Sequence, residues 1–183
     1  MASAEYQKRQ EGNQWVFDVT PASAPKSLWF AVLGGLCVLF GLMAGPFGWI
    51  ILVPAGAFSI WLGQFRDGRP APHRSPSRFT VSPTAIEANG RAFPKDDIHR
   101  LIIKNGISND VIPNIMFQVN TSTAMGAIHR VNMSKVANAL EVETGGKAYL
   151  LAGGMDQTTA FGLLHDVSKV LRFETAQQAA LAG

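Results

Sequence analysis

Cysteine is nearly absent from this 183-residue chain, since Cys37 is the one residue of its type. A single thiol excludes an intrachain disulfide framework and a cysteine-based metal centre. Charge is also scarce, at 16% of residues, and no ionisable side chain other than that thiol lies between Leu28 and Leu62. Without acidic or basic groups there, this stretch is excluded as a proton relay, an ion pathway or a route for a charged substrate.

The uncharged stretch Leu28–Leu62 is interrupted by one turn-like sequence, Ala44-Gly45-Pro46. A single helix of this length would exceed one bilayer crossing, whereas two helices of roughly 26 Å each approach the hydrocarbon thickness. Acidic residues precede the stretch and a second apolar run follows at once, which argues against a cleaved signal peptide. The pattern predicts a transmembrane helical hairpin over residues 28–63, with the lipid bilayer as a partner.

Basic residues flank the predicted hairpin on both sides, whereas its central turn carries no charge. Three basic residues precede the hairpin and four arginines follow it: Lys8, Arg9, Lys26, Arg66, Arg69, Arg74 and Arg78. The positive-inside rule predicts a bacterial inner-membrane protein with both termini in the cytoplasm. The four arginines are expected to contact the membrane surface, because basic residues beside a span attract anionic headgroups.

Glycines recur in the predicted spans, and Gly41 and Gly45 follow the small-x-x-x-small pattern. Small residues at this spacing let helices approach closely in lipid. The spacing is compatible with packing of the two hairpin helices against each other and also with oligomer formation.

The rest of the chain divides by composition. Residues 1–27 are predicted as an N-terminal cytoplasmic segment. Residues 64–77 are rich in Pro, Gly and Ser and predict an extended basic linker. Residues 78–174 show short alternating segments, which predict a β-rich domain, and residues 175–183 are predicted as a frayed tail.

Two-residue turns and a helix cap organise the predicted domain. Asn89-Gly90 and Gly145-Gly146 are expected to close β-hairpins. Asp156 offers an N-cap for an amphipathic helix that continues to about Phe173. About seven short antiparallel strands followed by one C-terminal helix therefore predict an α+β domain.

Two runs resemble bacterial pleckstrin-homology-like (PH-like) domains. RFTVSPTAIEANGRAFPKDDIHRLIIKNG (78–106) looks like their opening strands, and EVETGGKAYLLAGGMDQTTAFGLLHDVSKVLRF (141–173) is similar to their last hairpin and capping helix. The resemblance implies two bent antiparallel sheets, packed as a sandwich or open barrel, with the helix at one end. Bacterial members often follow a pair of transmembrane helices, and the fold serves mainly as a binding scaffold.

The segment 107–138 departs from a compact version of this pattern and is expected to be an insertion. Its apolar residues are candidates for a partner surface: Met125, Ile128, Val131 and Met133. Methionine adapts to irregular surfaces, which favours a partner site. The alternative is an elaborated edge of the core.

Chemical motifs give no candidate catalytic, cofactor or metal site. His165 and Asp166 are adjacent on the predicted helix and point about 100° apart, so they do not form an orienting pair. Gly145-Gly146-Lys147 is not a phosphate loop, because Ala148 stands where Ser or Thr is required. Residues 79–183 carry nine basic and nine acidic side chains, so the sequence pI of about 9.2 does not indicate nucleic-acid binding.

These observations predict a non-enzymatic, membrane-anchored PH-like module that acts as a protein-interaction or assembly scaffold. Its expected partners are a second copy of the chain or another protein of a membrane complex, and no small-molecule substrate is indicated. The alternative is a module that binds anionic lipid headgroups or senses membrane stress. Arg91 and Lys95 are the basic residues near the first hairpins for that role.

Overall fold

The computed structural model describes residues 3–107 and 124–172, with side chains from residue 129 onward in the second range. The chain divides into two compact units. Met1–Ser23 and Arg69–Gly183 form one, here called the α+β unit, and Ala24–Gly68 form the other, the helical unit. The helical unit is therefore inserted within the sequence of the α+β unit.

Two antiparallel sheets make up the α+β unit. The first sheet contains, in spatial order, β1 (Glu5–Glu11), β2 (Gln14–Thr20), β3 (Ser77–Val81), β4 (Ala85–Ala88) and β5 (Arg91–Pro94). The second contains β6 (Ile98–Asn105), β7 (Asn138–Thr144) and β8 (Lys147–Met155). The predicted α+β class with antiparallel sheets is confirmed.

Four α-helices and two 3-10 turns complete the described structure. The helices are α1 (Leu28–Met43), α2 (Gly45–Gln64), α3 (Ala124–Ser134) and α4 (Gln157–Leu171). The 3-10 turns are Ala71–His73 and Lys95–Asp97. The frayed tail predicted for 175–183, and a strand that the sequence predicts at Ile115–Asn120, lie outside the described residues.

The N-terminal residues belong to the first sheet, contrary to the prediction of a separate segment over 1–27. β2 pairs with β3 so that Phe17 lies opposite Phe79, with ring centroids 5.3 Å apart. Phe17 and Val19 lie on one face of β2 and are buried, and Val16 on the opposite face is buried as well. Burial of this apolar face explains why the strand joins the sheet despite its charged neighbour β1.

Both predicted hairpin turns are present. Asn89 and Gly90 have φ of 52° and 74°, and Gly145 and Gly146 have φ of 55° and 73°. Positive φ at both central residues matches the right-handed twist of the joined strands. These turns set the registers of β4 with β5 and of β7 with β8.

One hydrophobic core lies between the sheets and is covered by α4. Its fully buried large side chains come from both sheets and from the helix: Phe17, Phe79, Ile86, Leu140, Val142, Met155, Leu163, Val167 and Leu171. Helix α4 contacts β1 and β3 of the first sheet and β6 and β7 of the second. Asp156 caps it as predicted, accepting a hydrogen bond from the Thr159 amide at 3.2 Å.

The predicted extended linker 64–77 is wrong over its second half. Gln64 is the last residue of α2, and Ala71–His73 forms a 3-10 turn that packs against β8. Arg69 and His73 are buried, with 3% and 6% of their surfaces exposed. This part of the chain is therefore fixed in the α+β unit.

The helical unit consists of α1 and α2 packed against each other in antiparallel directions. Gly34 lies against Gly56, and Gly41 lies against Gly48. At the open end of the pair, the Ser27 amide donates to the Gly63 carbonyl at 2.9 Å. Gly45 begins α2 after the turn and has φ of 73°, a value that glycine adopts without strain.

Candidate functional site

The outer surface of the helical unit is apolar. Large side chains of α1 and α2 are exposed, including Met43 at 84%, Phe47 at 80% and Ile50 at 73%. The buried residues of the two helices are glycines: Gly34, Gly41, Gly48, Gly56 and Gly63. A water-soluble helix pair shows the opposite distribution, with large apolar residues inside. Such an exposed apolar surface marks a site of contact with lipid or with another apolar surface.

Close approach of the helix backbones explains the buried glycines. A Cβ atom at Gly34 would lie 2.5 Å from the Gly56 carbonyl oxygen, and one at Gly41 would lie 3.0 Å from the Gly48 carbonyl oxygen. Gly41 therefore has the helix-packing role predicted for it. Gly45 does not, because a Cβ atom there would meet no atom within 4 Å. Its place is in the turn rather than in the helix contact.

The two helices differ in length. Among the described helices, α2 has 20 residues and is the one long and apolar enough to cross a membrane, while α1 is a shorter apolar helix of 16 residues. At a rise of 1.5 Å per residue they are about 30 Å and about 24 Å long. Only α2 matches an average hydrocarbon core.

The four arginines predicted to contact headgroups have different environments. Arg66 and Arg74 are exposed, and Arg74 Nε donates to the Arg69 carbonyl at 2.6 Å. Arg78 is exposed on β3 but lies 3.6 Å from the carboxylate of Asp18. Arg69 is buried, so its prediction as a membrane-surface residue is wrong. The Arg69 side chain is held by a backbone acceptor instead.

Arg69 joins the two points at which the chain leaves and re-enters the α+β unit. Its Nη1 donates to the Ala22 carbonyl at 2.6 Å, and the Ala22 amide donates to the Gly154 carbonyl at 2.8 Å. Gly154 has φ of 76° and lies against Pro21 and the Arg69 guanidinium. We call this group, Pro21, Ala22, Arg69, His73 and Gly154, the neck.

His73 packs its imidazole onto glycine backbone within the neck. A Cβ atom at Gly106 would lie 2.5 Å from the His73 Cε1, and one at Gly153 would lie 3.0 Å from its Cγ. Burial lowers the pKa of His73, a backbone hydrogen bond with Ala137 opposes that shift, and the charge of Arg69 adds to it. The ring is therefore held in its neutral form more strongly than an exposed histidine.

The predicted partner surface on α3 is only partly a surface. Met133 is buried, with 3% of its area exposed, whereas Val131 is half-buried. The side chains of Met125 and Ile128 lie outside the described part of the chain. The burial of Met133 therefore favours the alternative of an elaborated core edge over a partner surface at this residue.

A shallow groove of about 400 Å³ lies beside the β4–β5 turn. Its ionisable lining residues are Arg78, Glu87 and Arg91. The Arg91 guanidinium lies 5.4 Å from the ring centroid of Tyr149, which restrains it by a cation–π contact. Lys95, the other basic residue considered for headgroups, begins a 3-10 turn that contains Asp96 and Asp97. The groove is therefore lined by both basic and acidic side chains.

His165 and Asp166 have different environments: one is exposed to solvent and the other makes contacts within the fold. His165 is exposed, whereas Asp166 accepts a hydrogen bond from the Tyr6 hydroxyl at 3.1 Å and lies 3.5 Å from Lys8 Nζ. Burial raises the pKa of Tyr6, and the nearby carboxylate of Asp166 raises it further. Asp166 therefore ties α4 to β1. Within the described residues, no three His, Cys, Asp or Glu side chains converge on a metal-sized site.

Comparison with known proteins gave no relative: no protein-family model, no curated protein and no solved structure matches this chain. Its function is therefore inferred from its own residues.

Proposed function

We propose that α1 and α2 form a transmembrane hairpin that anchors a PH-like interaction module to the cytoplasmic face of a bacterial inner membrane. The observation that carries the anchor is the reversed burial of the helix pair. Glycines are buried between the helices, and Met43, Phe47 and Ile50 point outward. In lipid this arrangement satisfies the exposed apolar side chains and lets the helix backbones approach closely.

The short helix α1 is accommodated by a thin membrane or by local thinning of the bilayer. At about 24 Å it falls short of an average hydrocarbon core by roughly 6 Å, and each ångström of mismatch costs a fraction of a kcal/mol. The turn between the helices contains no charged residue. Positive residues on both outer sides of the hairpin support cytoplasmic termini.

The PH-like assignment is supported by the two antiparallel sheets and by the position of α4, which contacts both of them. The chain departs from a simple PH-like order because its first sheet has five strands and the helix pair is inserted between β2 and β3. The module has a closed core and serves as a scaffold on which another protein surface assembles. Anchoring raises its effective concentration for partners in the same membrane.

Cysteine labelling in cells tests the anchor. In a Cys37→Ser background, Phe47→Cys reports on the turn and Ser75→Cys reports on the α+β unit. With a membrane-impermeant maleimide and intact spheroplasts, we expect labelling at position 47 and none at position 75 until the cells are lysed. Labelling of position 47 only after lysis, or release of the chain by alkaline carbonate, would contradict the anchor.

Photocrosslinking of the full chain tests the assembly role. Phe161 is a large apolar side chain exposed on α4, at 46%, and it suits a photoreactive phenylalanine analogue. The same analogue at the nearby exposed Thr158 is the matched control. We expect position 161 to give a discrete adduct of a second copy or of one membrane protein in higher yield than position 158. Equal yields, with a monomer by native mass spectrometry in nanodiscs, would overturn the proposal.

Headgroup binding is a second candidate because the groove beside the β4–β5 turn places Arg78 and Arg91 together. Nanodiscs with and without anionic lipid distinguish it. Arg91→Gln would weaken protection of the β4–β5 turn from hydrogen exchange in anionic nanodiscs only, with Arg100→Gln as the control. An isolated fragment 79–183 is unsuitable, since it lacks β1 and β2.

A further inference from the structure

His73 combines deep burial with an unsatisfied ring nitrogen. Among the buried side-chain nitrogens and oxygens that the structure describes, its Nδ1 is the atom without a hydrogen-bond partner. An unpaired polar atom in such a position costs free energy, and most buried polar groups avoid it. The site therefore accommodates the neutral imidazole, but it offers no hydrogen-bond acceptor from the described part of the chain to a proton added at Nδ1.

The residues that approach the ring are uncharged, and the backbone of Ala137 already forms a hydrogen bond with it. Gly106 approaches from the end of β6 and Gly153 from β8, while Ala137 precedes β7. None of these residues titrates. The charged group that acts on the ring is Arg69, on its own segment, and this guanidinium repels an imidazolium. Arg74, next along the chain, is exposed and adds a second positive charge on that segment.

Glycine residues lie on two sides of the ring. A Cβ atom at Gly106 or Gly153 would lie within 3.0 Å of the ring, so the imidazole occupies space that a side chain at either position would need. A protonated ring needs water or an acceptor at Nδ1. Because Nδ1 has no hydrogen-bond partner among the described residues, we expect the 3-10 turn Ala71–His73 to move outward when the charge is hydrated.

The same short segment joins the two points at which the chain leaves and re-enters the α+β unit. Arg69 lies four residues before His73 and donates to the Ala22 carbonyl at 2.6 Å. The His73 carbonyl and the Arg69 guanidinium both lie against Gly154. Outward movement of the turn therefore weakens the contact between Arg69 and Ala22.

We propose that the neck is a pH-sensitive contact, here called the latch. Protonation of His73 moves the turn Ala71–His73 away from Gly106 and Gly153 and weakens the hydrogen bond from Arg69 to Ala22. The sign follows from linkage. The folded neck favours the neutral ring, so this stabilisation of the closed neck is fully present above the ordinary histidine range and is lost as the pH falls from that range to the lower pKa of the buried ring. Uptake of one proton raises the open population by at most about tenfold per pH unit.

Amide hydrogen exchange of the full chain in nanodiscs tests the latch. Comparison of wild type with His73→Gln at the same pH cancels the intrinsic pH dependence of exchange. We expect exchange at Ala22 and residues 69–74 of the wild type to accelerate by several-fold relative to His73→Gln between pH 7.5 and pH 5. The exposed histidine variant His165→Gln should behave as wild type. Equal pH dependence of wild type and His73→Gln would overturn the latch.

A direct measurement covers the case in which His73→Gln fails to fold. The NMR titration of the His73 imidazole in the wild-type chain should show protonation only below the ordinary histidine range. The Ala22 amide should lose protection over that same interval. Titration of His73 in the ordinary range, or loss of protection at Ala22 that does not follow the ring, would refute the proposal.

Discussion

Gly34 and Gly35 are adjacent on α1 and give a matched test of the helix packing. A Cβ atom at Gly34 would lie 2.5 Å from the Gly56 carbonyl oxygen and 2.6 Å from Ile60 Cγ1, whereas one at Gly35 would meet no atom within 4 Å. Ordinary contacts between heavy atoms are about 3.5 Å or longer. Gly34→Ala therefore forces the helices apart by roughly 1 Å, and Gly35→Ala changes only the helix itself.

The expected stability of each alanine variant follows from two free-energy terms. Replacing glycine by alanine inside a helix favours the helix by up to about 1 kcal/mol, and this term is the same at both positions. Overpacking at Gly34 costs about 1–3 kcal/mol, because the contact consists of backbone and a branched side chain. The difference between the two variants isolates the second term, so Gly34→Ala should be about 1–3 kcal/mol less stable than Gly35→Ala.

Unfolding by SDS in mixed micelles measures this difference. Three of the four tryptophans, Trp29, Trp49 and Trp61, lie in α1 and α2, so tryptophan fluorescence in a Trp15→Phe background follows the helical unit. Gly56→Ala should reproduce Gly34→Ala, because its Cβ atom would lie 2.5 Å from the Gly34 carbonyl oxygen. Equal unfolding midpoints for the Gly34 and Gly35 variants, or a more stable Gly34→Ala, would refute the close helix contact.

Three further outcomes are expected. Arg69→Met should destabilise the α+β unit by about 1–3 kcal/mol in thermal unfolding, because the Ala22 carbonyl loses its donor, while Arg66→Met should leave it unchanged. Asp156→Ala should cost about 1 kcal/mol through the lost helix cap. Burial raises the pKa of Asp156, but hydrogen bonds from Thr159 and Ala4 outweigh it and the net shift is downward. The contribution of the Asp156 carboxylate to folding stability is therefore fully present above the pKa of this group in the unfolded chain and is lost as the pH falls through its lower pKa in the folded protein. Asp156→Asn should weaken this dependence of stability on acid pH. Replacement of residues 24–68 by a short Gly/Ser connector should give a folded, detergent-independent α+β unit by NMR, whereas residues 69–183 alone should remain unfolded.

Local signals in the sequence predicted several elements of the fold. Asn89-Gly90 and Gly145-Gly146 identify their turns because positive φ at two successive residues is accessible to few residue types. Asp156 identifies the start of α4 because its carboxylate caps the first turn. In these cases the nearest neighbours in the chain decide the structure.

The missed elements depend on distant contacts. β1 is mostly exposed and charged, so its strand character comes from pairing with β2. The alternation of Trp15, Phe17 and Val19 was the signal that a half-buried strand precedes the helices. Arg69 and His73 lie in a segment rich in proline, and composition indicated a linker. Their burial depends on contacts with glycines of β8 and with residues that adjoin β2. These residues are distant in sequence, so no local pattern indicates the burial.

The position of the helical unit makes it equivalent to a long loop of a β-hairpin. β2 and β3 are antiparallel neighbours, with Val19 opposite Ser77, so the chain leaves and re-enters the sheet at adjacent points. The helical unit closes on itself, since Ser27 and Gly63 are hydrogen-bonded at the open end of the pair. Arg69 and Ala22 close the corresponding gap on the α+β unit. The ends of each unit are therefore joined by a hydrogen bond of their own, and an apolar helix pair is inserted between β2 and β3 while these two strands remain paired.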